Sequence, residues 1–381
     1  MFFMFINFTF LEKIINHVEF YSYKIGEKMS IKVAIIGVGN CASALVQGVF
    51  YYKNAEGNVP GLLNIKLGKY HVKDIEFVAA FDIDENKVGK DLSEAIFSWP
   101  NNTRKFCEVP KLGVKVKKGP VMDGLGKYLK NVIKISNEPP VDVAKELKDS
   151  GAEIVVNYLP VGSEQAVRWY ANEAIKADCA FVNCMPVFIA SDPEWQRKFY
   201  EKGLPVAGDD VMSQIGATVL HKTLVKLLVD RGIKILESYQ LNIGGDTDFL
   251  NMLEEERLVS KRISKTSAVK AMIPYDVPLR IGPSDYVPFL ENKKICYIYI
   301  KGEYFGGTPV QIDVKLDVWD APNSAGVVID VIRACKIALD RGISGPLISA
   351  SAFAFKHPPQ QMPYELAKKC FEEFIEGKRE R

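Results

Sequence analysis

Apolar residues along this chain change their spacing near residue 240. Before it, short continuous apolar runs alternate with amphipathic segments, as expected of buried parallel strands joined by helices. The strand signals are Lys32-Val-Ala-Ile-Ile36, Phe77-Val-Ala-Ala-Phe81, Glu153-Ile-Val-Val-Asn157, Ala180-Phe-Val-Asn183 and Val206-Ala-Gly-Asp-Asp210. Ala44 to Val49, Val141 to Ser150 and Glu164 to Lys176 carry helical spacing, the second ended by Gly151. After it, Val310, Ile312, Val314, Leu316 and Val318 alternate with Gln311, Asp313, Lys315 and Asp317, a period-two strand with one wet or interface-facing side. Ile295 to Lys301 is its expected hairpin partner through Glu303-Tyr-Phe-Gly-Gly307. Ser324 to Asp340 returns to a helix ended by Gly342, and Pro363 opens a last helix through Glu376. The expected fold class is α/β: a parallel-sheet domain over 30–238, an inserted α+β domain on an antiparallel sheet over 239–322, and a helical return over 323–381.

The first strand runs into Gly37-Val-Gly39-Asn40-Cys41-Ala42 and then a helix, a G-x-G-x-x-A turn in the context that binds dinucleotides. Gly37 allows the tight turn, Gly39 lets backbone approach a pyrophosphate, and Ala42 permits close helix packing at an anion-attracting N-terminus. The next strand ends at Asp82, where an acid accepts both ribose hydroxyls and repels the 2′-phosphate of NADP, so NAD is the expected cofactor. The spacing to this acid is lengthened by an insertion over Tyr51 to Lys73. Asn157, Asn183, Asp209 and Asp210 end later parallel strands and are expected beside the nicotinamide.

The chain has 381 residues and 48% hydrophobic content, enough for two domains. A net charge of +2 gives no nucleic-acid signal. Seven cysteines without a C-x-x-C pair suggest reduced thiols in a cytoplasmic protein. His17, His71, His221 and His357 are scattered, which argues against a histidine zinc site or a Ser-His-Asp triad. Residues 1–28 begin MFFMFINFTF, too short an apolar run to span a bilayer and without a basic leader. They are read as an upstream extension, the alternative being a peripheral membrane or subunit contact; no membrane partner is expected of the rest.

Nine blocks in order identify a family. VAIIGVGNCASALVQGV, GKYHVKDIEFVAAFDID, NYLPVGSE, FVNCMPVFIASDP, GDDVMSQIGAT, LNIGGDTDFLNMLEEERLVSKRISKT, IGPSDYVPFLENKK, VWDAPNSAGVVIDVIRACKIALDRG and FKHPP resemble the short prokaryotic myo-inositol-1-phosphate synthases, from about Ile31 to Gly377. The resemblance implies conversion of D-glucose 6-phosphate to 1D-myo-inositol 3-phosphate: oxidation at C5 by NAD, enolisation at C6, aldol closure onto C1, and return of the hydride. It also implies a homotetramer whose second domain serves catalysis and assembly, and inositol phosphate for phospholipid or other uses. Two rival classes are an oxidoreductase with net redox turnover and a non-catalytic NAD-binding homologue.

The resemblance places Lys261, Lys265 and Lys356 in the active site, with a fourth lysine at Lys294 or its neighbour Lys293. Lys261 and Lys356 are assigned to the C5 hydroxyl and O1, Lys265 and Lys294 to the phosphate and developing oxyanions. Lys261 and Lys265 share a helix face, where their repulsion helps supply a neutral lysine if they are buried. Spacing alone reads SKRISK as a solvated basic face. Asp248 and Asp320 join the catalytic set, Asp320 being equally readable as a helix cap. Backbone amides around Cys184 and Met185 are expected at the phosphate, while Asn323 and Ser324 either cap a helix or donate to substrate. A divalent or monovalent cation is expected near Asp210 and Asp320. Three positions depart from the family pattern: Met212 replaces a lysine, Asp246 an asparagine and Ala321 a serine.

Overall fold

The computed structural model describes residues 29–381; the extension over 1–28 lies outside the described residues. Along the chain the strands are β1 (Ile31–Ile36), β2 (Lys66–Leu67), β3 (Tyr70–His71), β4 (Ile75–Asp82), β5 (Val116–Lys118), β6 (Ile154–Asn157), β7 (Ala180–Asn183), β8 (Pro205–Gly208), β9 (Lys234–Gly244), β10 (Leu279–Tyr286), β11 (Lys293–Tyr304), β12 (Thr308–Trp319) and β13 (Gly345–Pro346).

Seven of these form one sheet in the order β13-β8-β7-β6-β1-β4-β5, and every pairing in it is parallel. The chain leaves β1 toward β4 and β5, then crosses to build β6, β7 and β8 on the other side. The crevice between the carboxyl ends of β1 and β6 is therefore the topological switch point, where doubly wound folds bind ligands. Alternate residues of the central strands feed two cores: Val33, Ile35 and Val156 face one layer, Ala34, Ile36 and Val155 the other. Burial on both faces explains why these strands read as unbroken apolar runs. The helix Asn40–Tyr51 packs with the long helix Asp320–Asp340 over the first layer.

The second sheet has the order β10-β9-β11-β12. The expected hairpin β11–β12 is antiparallel, closing at Tyr304 opposite Thr308, but β10 runs parallel to β9. The sheet is therefore mixed, not purely antiparallel. Position 238 falls inside β9, and the helix Ala217–Asp230 before it packs through Ala217, Val225 and Leu228 into the same core as Ile235, Ile298 and Ile300. The opposite face of the sheet exposes Tyr239, Leu241 and Tyr297, and Tyr239 stacks on Tyr299 with ring centroids 4.8 Å apart.

The insertion after the first helix is tied down by a buried cation. Arg333 of the long helix has no exposure; Nη2 donates to Asn64 O at 2.6 Å and pairs with Asp330, and Nη1 donates to Ile65 O at 2.6 Å. Arg333→Met fills the volume but takes the guanidinium from the buried Asp330, which keeps only Asn64 as a donor, and from the carbonyls of Asn64, Ile65, Tyr70 and Ile329. Removing one partner of a buried pair costs about 3–5 kcal/mol, so chemical denaturation should show a loss of that size.

Candidate active site

Gly37 follows β1 with φ of +85°, and a Cβ there would lie 2.8 Å from the carbonyl oxygen of Tyr158. Only glycine fits so close to the neighbouring strand's backbone. Asp82, at the end of β4, braces the turn: Oδ2 accepts from Val38 N at 2.7 Å, and Oδ1 accepts from Ile83 N and Asp84 N. Asn40 Oδ1 accepts the amides of Asn102 and Thr103 at 2.8 and 3.0 Å, closing one wall of the cavity. At Gly39 a Cβ would meet nothing within 4 Å, and the helix that starts there has no side-chain cap. Open space, uncapped amides and an acid at the next strand end suit a dinucleotide. Gly37, Gly39, Asn40, Cys41 and Asp82 line this cavity, whereas Ala42 is fully buried behind it. Burial pushes the Cys41 thiol up to about 12, so it is a neutral wall and not a nucleophile.

The same cavity holds the lysines. The residue after β8, Asp209, exchanges backbone hydrogen bonds with His357 in both directions, at 3.1 and 3.0 Å, and Lys356 N donates to Asp210 O at 2.8 Å. This exchange sets Lys356 beside Asp210, which itself has φ of +61°. From the other side comes the helix Val259–Lys270, whose Lys261, Ser264 and Lys265 share a buried face. Lys261 Nζ and Lys356 Nζ both donate to Asp210 Oδ1, at 3.0 and 2.9 Å, and Ser264 Oγ donates to Oδ2 at 2.6 Å. Lys294 Nζ lies 3.3 Å from both oxygens of Asp320. Lys293 instead sits over the Trp319 ring, so the register favours Lys294.

These partners divide the four amines. Burial pushes the Asp210 carboxyl up, but Lys261 and Lys356 outweigh it and hold it well below the usual carboxylate range. Burial disfavours the charge on Lys261, and Asp210 with Asp248 more than restores it. Lys294 is likewise held charged against burial, chiefly by Asp320. Lys356 comes down to about 8, because burial and the neighbouring Lys261 and Lys294 outweigh Asp210. Lys265 is 3% exposed and makes no ion pair among the described residues; burial, then Lys294, Lys261 and Lys356, push it well below an ordinary lysine. The site thus contains two amines held charged, one that titrates at about 8, and one, Lys265, whose charge is disfavoured.

Several expected contacts lie elsewhere. Asn157, Asn183 and Asp209 form a buried network under the cavity: Asn157 Nδ2 donates to Asn183 Oδ1 at 2.8 Å and Asn183 Nδ2 to Asp209 Oδ1 at 2.7 Å. Asp209 also accepts the amides of Ile189, Ala190 and Ser191, so it organises the loop after β7 and does not line the cavity. Cys184 and Met185 line the cavity, but their amides already donate to Asn157 O at 3.2 Å and Asn183 Oδ1 at 3.4 Å. Asn323 turns away to the backbone of Ile215, while Ser324 lines the cavity with Oγ donating to Ala321 O at 2.9 Å. Asp320 is the first residue of the long helix and caps nothing; its carboxylate faces Lys294. Asp248 lines the cavity with Oδ1 buried and unpartnered.

A metal does not fit Asp210 and Asp320. Both oxygens of Asp210 are taken by two ammonium groups and a hydroxyl, Asp320 is paired with Lys294, and the neighbouring Ala321 supplies only a methyl. Among the described residues no group of three His, Cys, Asp or Glu could hold a metal ion. Met212 is buried outside the cavity wall while its neighbours Val211 and Ser213 line it. Three contributors went unread in the sequence. Ser264 had a signal, its i+3 spacing from Lys261; Asn292 and Tyr158 had none.

Comparison with known proteins agrees with this geometry. The family model for myo-inositol-1-phosphate synthase matches residues 216–321, which span the second sheet and its lysine helix. The inositol-3-phosphate synthase of Mycolicibacterium smegmatis is 53% identical over 356 residues, covering 91% of this chain and 98% of its own. That of Corynebacterium glutamicum is 52% identical over 357 residues, with 91% and 98% covered. The crystal structure of a myo-inositol-1-phosphate synthase-related protein from Thermotoga maritima superposes with a TM-score of 0.76 at 26% identity, covering 92% of this chain and all of that one. With half its residues identical over nearly the full length of such relatives, this chain belongs to the myo-inositol-1-phosphate synthase family.

Proposed function

We propose that the chain converts D-glucose 6-phosphate to 1D-myo-inositol 3-phosphate, as a cytoplasmic homotetramer that regenerates its NAD in each turnover. The observation that carries this reading is the buried lysine set around Asp210 in the same cavity as the Gly37–Ala42 turn. An oxidoreductase needs one proton acceptor beside its cofactor. A cyclase must also stabilise negative charge at O5 and O1 in succession, and four preorganised amines in a dry site suit that demand.

NAD, when bound along the turn, supplies hydride acceptance and return at C5. Lys356, poised near its titration point against Asp210 and Lys261, accepts the C5 hydroxyl proton and gives it back at the final reduction. Lys261, held charged, stabilises oxyanion on O5 and then on O1 through enolisation and ring closure. The C6 proton passes to the substrate's own phosphate, which returns it to O1 after ring closure, so the proton account balances without a protein base at C6. Lys265 and Lys294 receive that phosphate. A dianion beside Lys265 opposes the burial and the neighbouring ammonium groups that disfavour its charge, so substrate binding favours its protonated form. Asp248, Asp320 and Ser324 complete the sugar-facing wall. No step runs through a metal ion.

Three outcomes test the proposal. With glucose 6-phosphate and substoichiometric NAD, the protein should form many inositol phosphates per NAD without net NADH, and Lys356→Ala should lower kcat by roughly 10³-fold. Stoichiometric NADH with an oxidised sugar would establish a dehydrogenase instead, and binding without conversion an inactive homologue. Because Lys356 must begin neutral, kcat/KM should fall as pH drops below about 8. The exposed aromatic face of Tyr239, Leu241 and Tyr297 supports assembly through the second sheets. Light scattering should give four times the chain mass, and Tyr297→Glu with Leu241→Glu should reduce it.

A further inference from the structure

Asp246 is buried, and its two oxygens carry different loads. Oδ1 accepts the amides of Asp248 and Phe249, both at 3.1 Å, and so caps the helix Thr247–Asn251 that brings Asp248 to the cavity. Oδ2 accepts from Asn292 Nδ2 at 2.7 Å. Asn292 is 1% exposed and passes the connection on. Its Oδ1 accepts Ala321 N at 3.1 Å, and its carbonyl accepts Asp320 N at 2.9 Å, so it holds the first two residues of the long helix. Two residues after Asn292, Lys294 meets Asp320. Three separate walls of the site, from β9, β11 and the long helix, therefore converge on one side-chain pair.

We infer that Asp246 and Asn292 are a positioning pair for the reaction, a directional brace with the acceptor on 246 and the donor on 292 that sets Asp320, and through it Lys294, against the substrate. The chemistry of the two groups fixes the direction. A carboxylate at 246 offers acceptors on both oxygens. An amide there offers one acceptor and one donor, so it must drop either the helix cap or the bond to Asn292. If Asn292 flips to meet it, Ala321 N loses its acceptor. An aspartate at 292 facing an asparagine at 246 satisfies every partner again: one oxygen accepts from the amide at 246 and the other from Ala321 N. The family pattern has asparagine at 246, so the aspartate here is a change of direction and not a loss.

The inference rests on the cyclisation reading, and a reciprocal exchange tests it separately. Kinetics of inositol phosphate formation, NAD affinity and the unfolding midpoint are measured for Asp246→Asn, Asn292→Asp and the double variant. Asp246→Asn should lower kcat by about 30-fold with KM for the sugar phosphate changed less, since the brace places reacting groups more than it binds substrate. Asn292→Asp alone sets two buried acids face to face that must share one proton, so its kcat should fall below the parent's increasingly as pH rises. The double variant should recover kcat to within about threefold of the parent, far from additivity. Asp246→Ser keeps a hydroxyl for the helix cap but cannot reach Asn292; it should lose kcat as Asp246→Asn does, with a lower unfolding midpoint because one buried amide N–H is left without an acceptor. A double variant no better than its worse single, or parental kcat in Asp246→Ser, overturns the brace. A parent that forms no inositol phosphate refutes the cyclisation reading instead, and coupling in NAD affinity and unfolding midpoint then decides the brace alone.

Discussion

One carboxylate organises the active site. Asp210 sits where the parallel sheet ends, and the ammonium groups of Lys261 and Lys356 share a single oxygen of it. Without that charge, two cations would be buried side by side, an arrangement that drives one of them to give up its proton. With it, Lys261 stays charged and Lys356 titrates at about 8, while Lys265, one helical turn from Lys261 and without an ion pair among the described residues, has its charge disfavoured. Different protonation states for the same residue type thus arise from position relative to one acid. The lysines come from the second sheet's helix and from the C-terminal segment, so Asp210 also holds these parts together at the mouth of the cofactor crevice.

Much of this was legible in the sequence, for identifiable reasons. Strands buried on both faces leave unbroken apolar runs, and β1, β4, β6 and β7 were read within a residue or two. Strong alternation likewise gave the hairpin of β11 and β12. The strand β10 escaped because Leu279-Arg-Ile-Gly-Pro-Ser-Asp-Tyr286 has neither pattern, and its parallel pairing with β9 follows from the intervening helix returning the chain to the same edge. The position of the domain change was obscured because β9 begins before the spacing shift is evident, and the helix ahead of it has the amphipathic look of another crossover helix.

At the site, residue type and order led to the lysines, but direction was invisible. Asn157, Asn183 and Asp209 occupy strand ends, as a ligand contact would, yet their side chains turn inward and satisfy one another below the cavity. Lys293 and Lys294 could be separated only by strand alternation, which sends one to Trp319 and the other to Asp320. The capping alternatives for Asp320, Asn323 and Ser324 were resolved by where the helix begins: at Asp320, one turn earlier than its apolar spacing suggests. Asp246 looked like a lost amide until its partner Asn292 was seen, because complementarity between donor and acceptor belongs to pairs and not to single positions.

The backbone exchange between Asp209 and His357 bears on how the protein comes into being. It joins the turn after β8 to a segment translated much later, and Lys356 rides on that joint. The strands β1 and β6 that flank the cofactor crevice are made long before this lysine, but the helix Asp320–Asp340 that packs over one face of them is not. The wall beside the Gly37–Cys41 turn and the amines set around Asp210 are therefore both finished only when nearly the entire polypeptide has folded back on its own beginning.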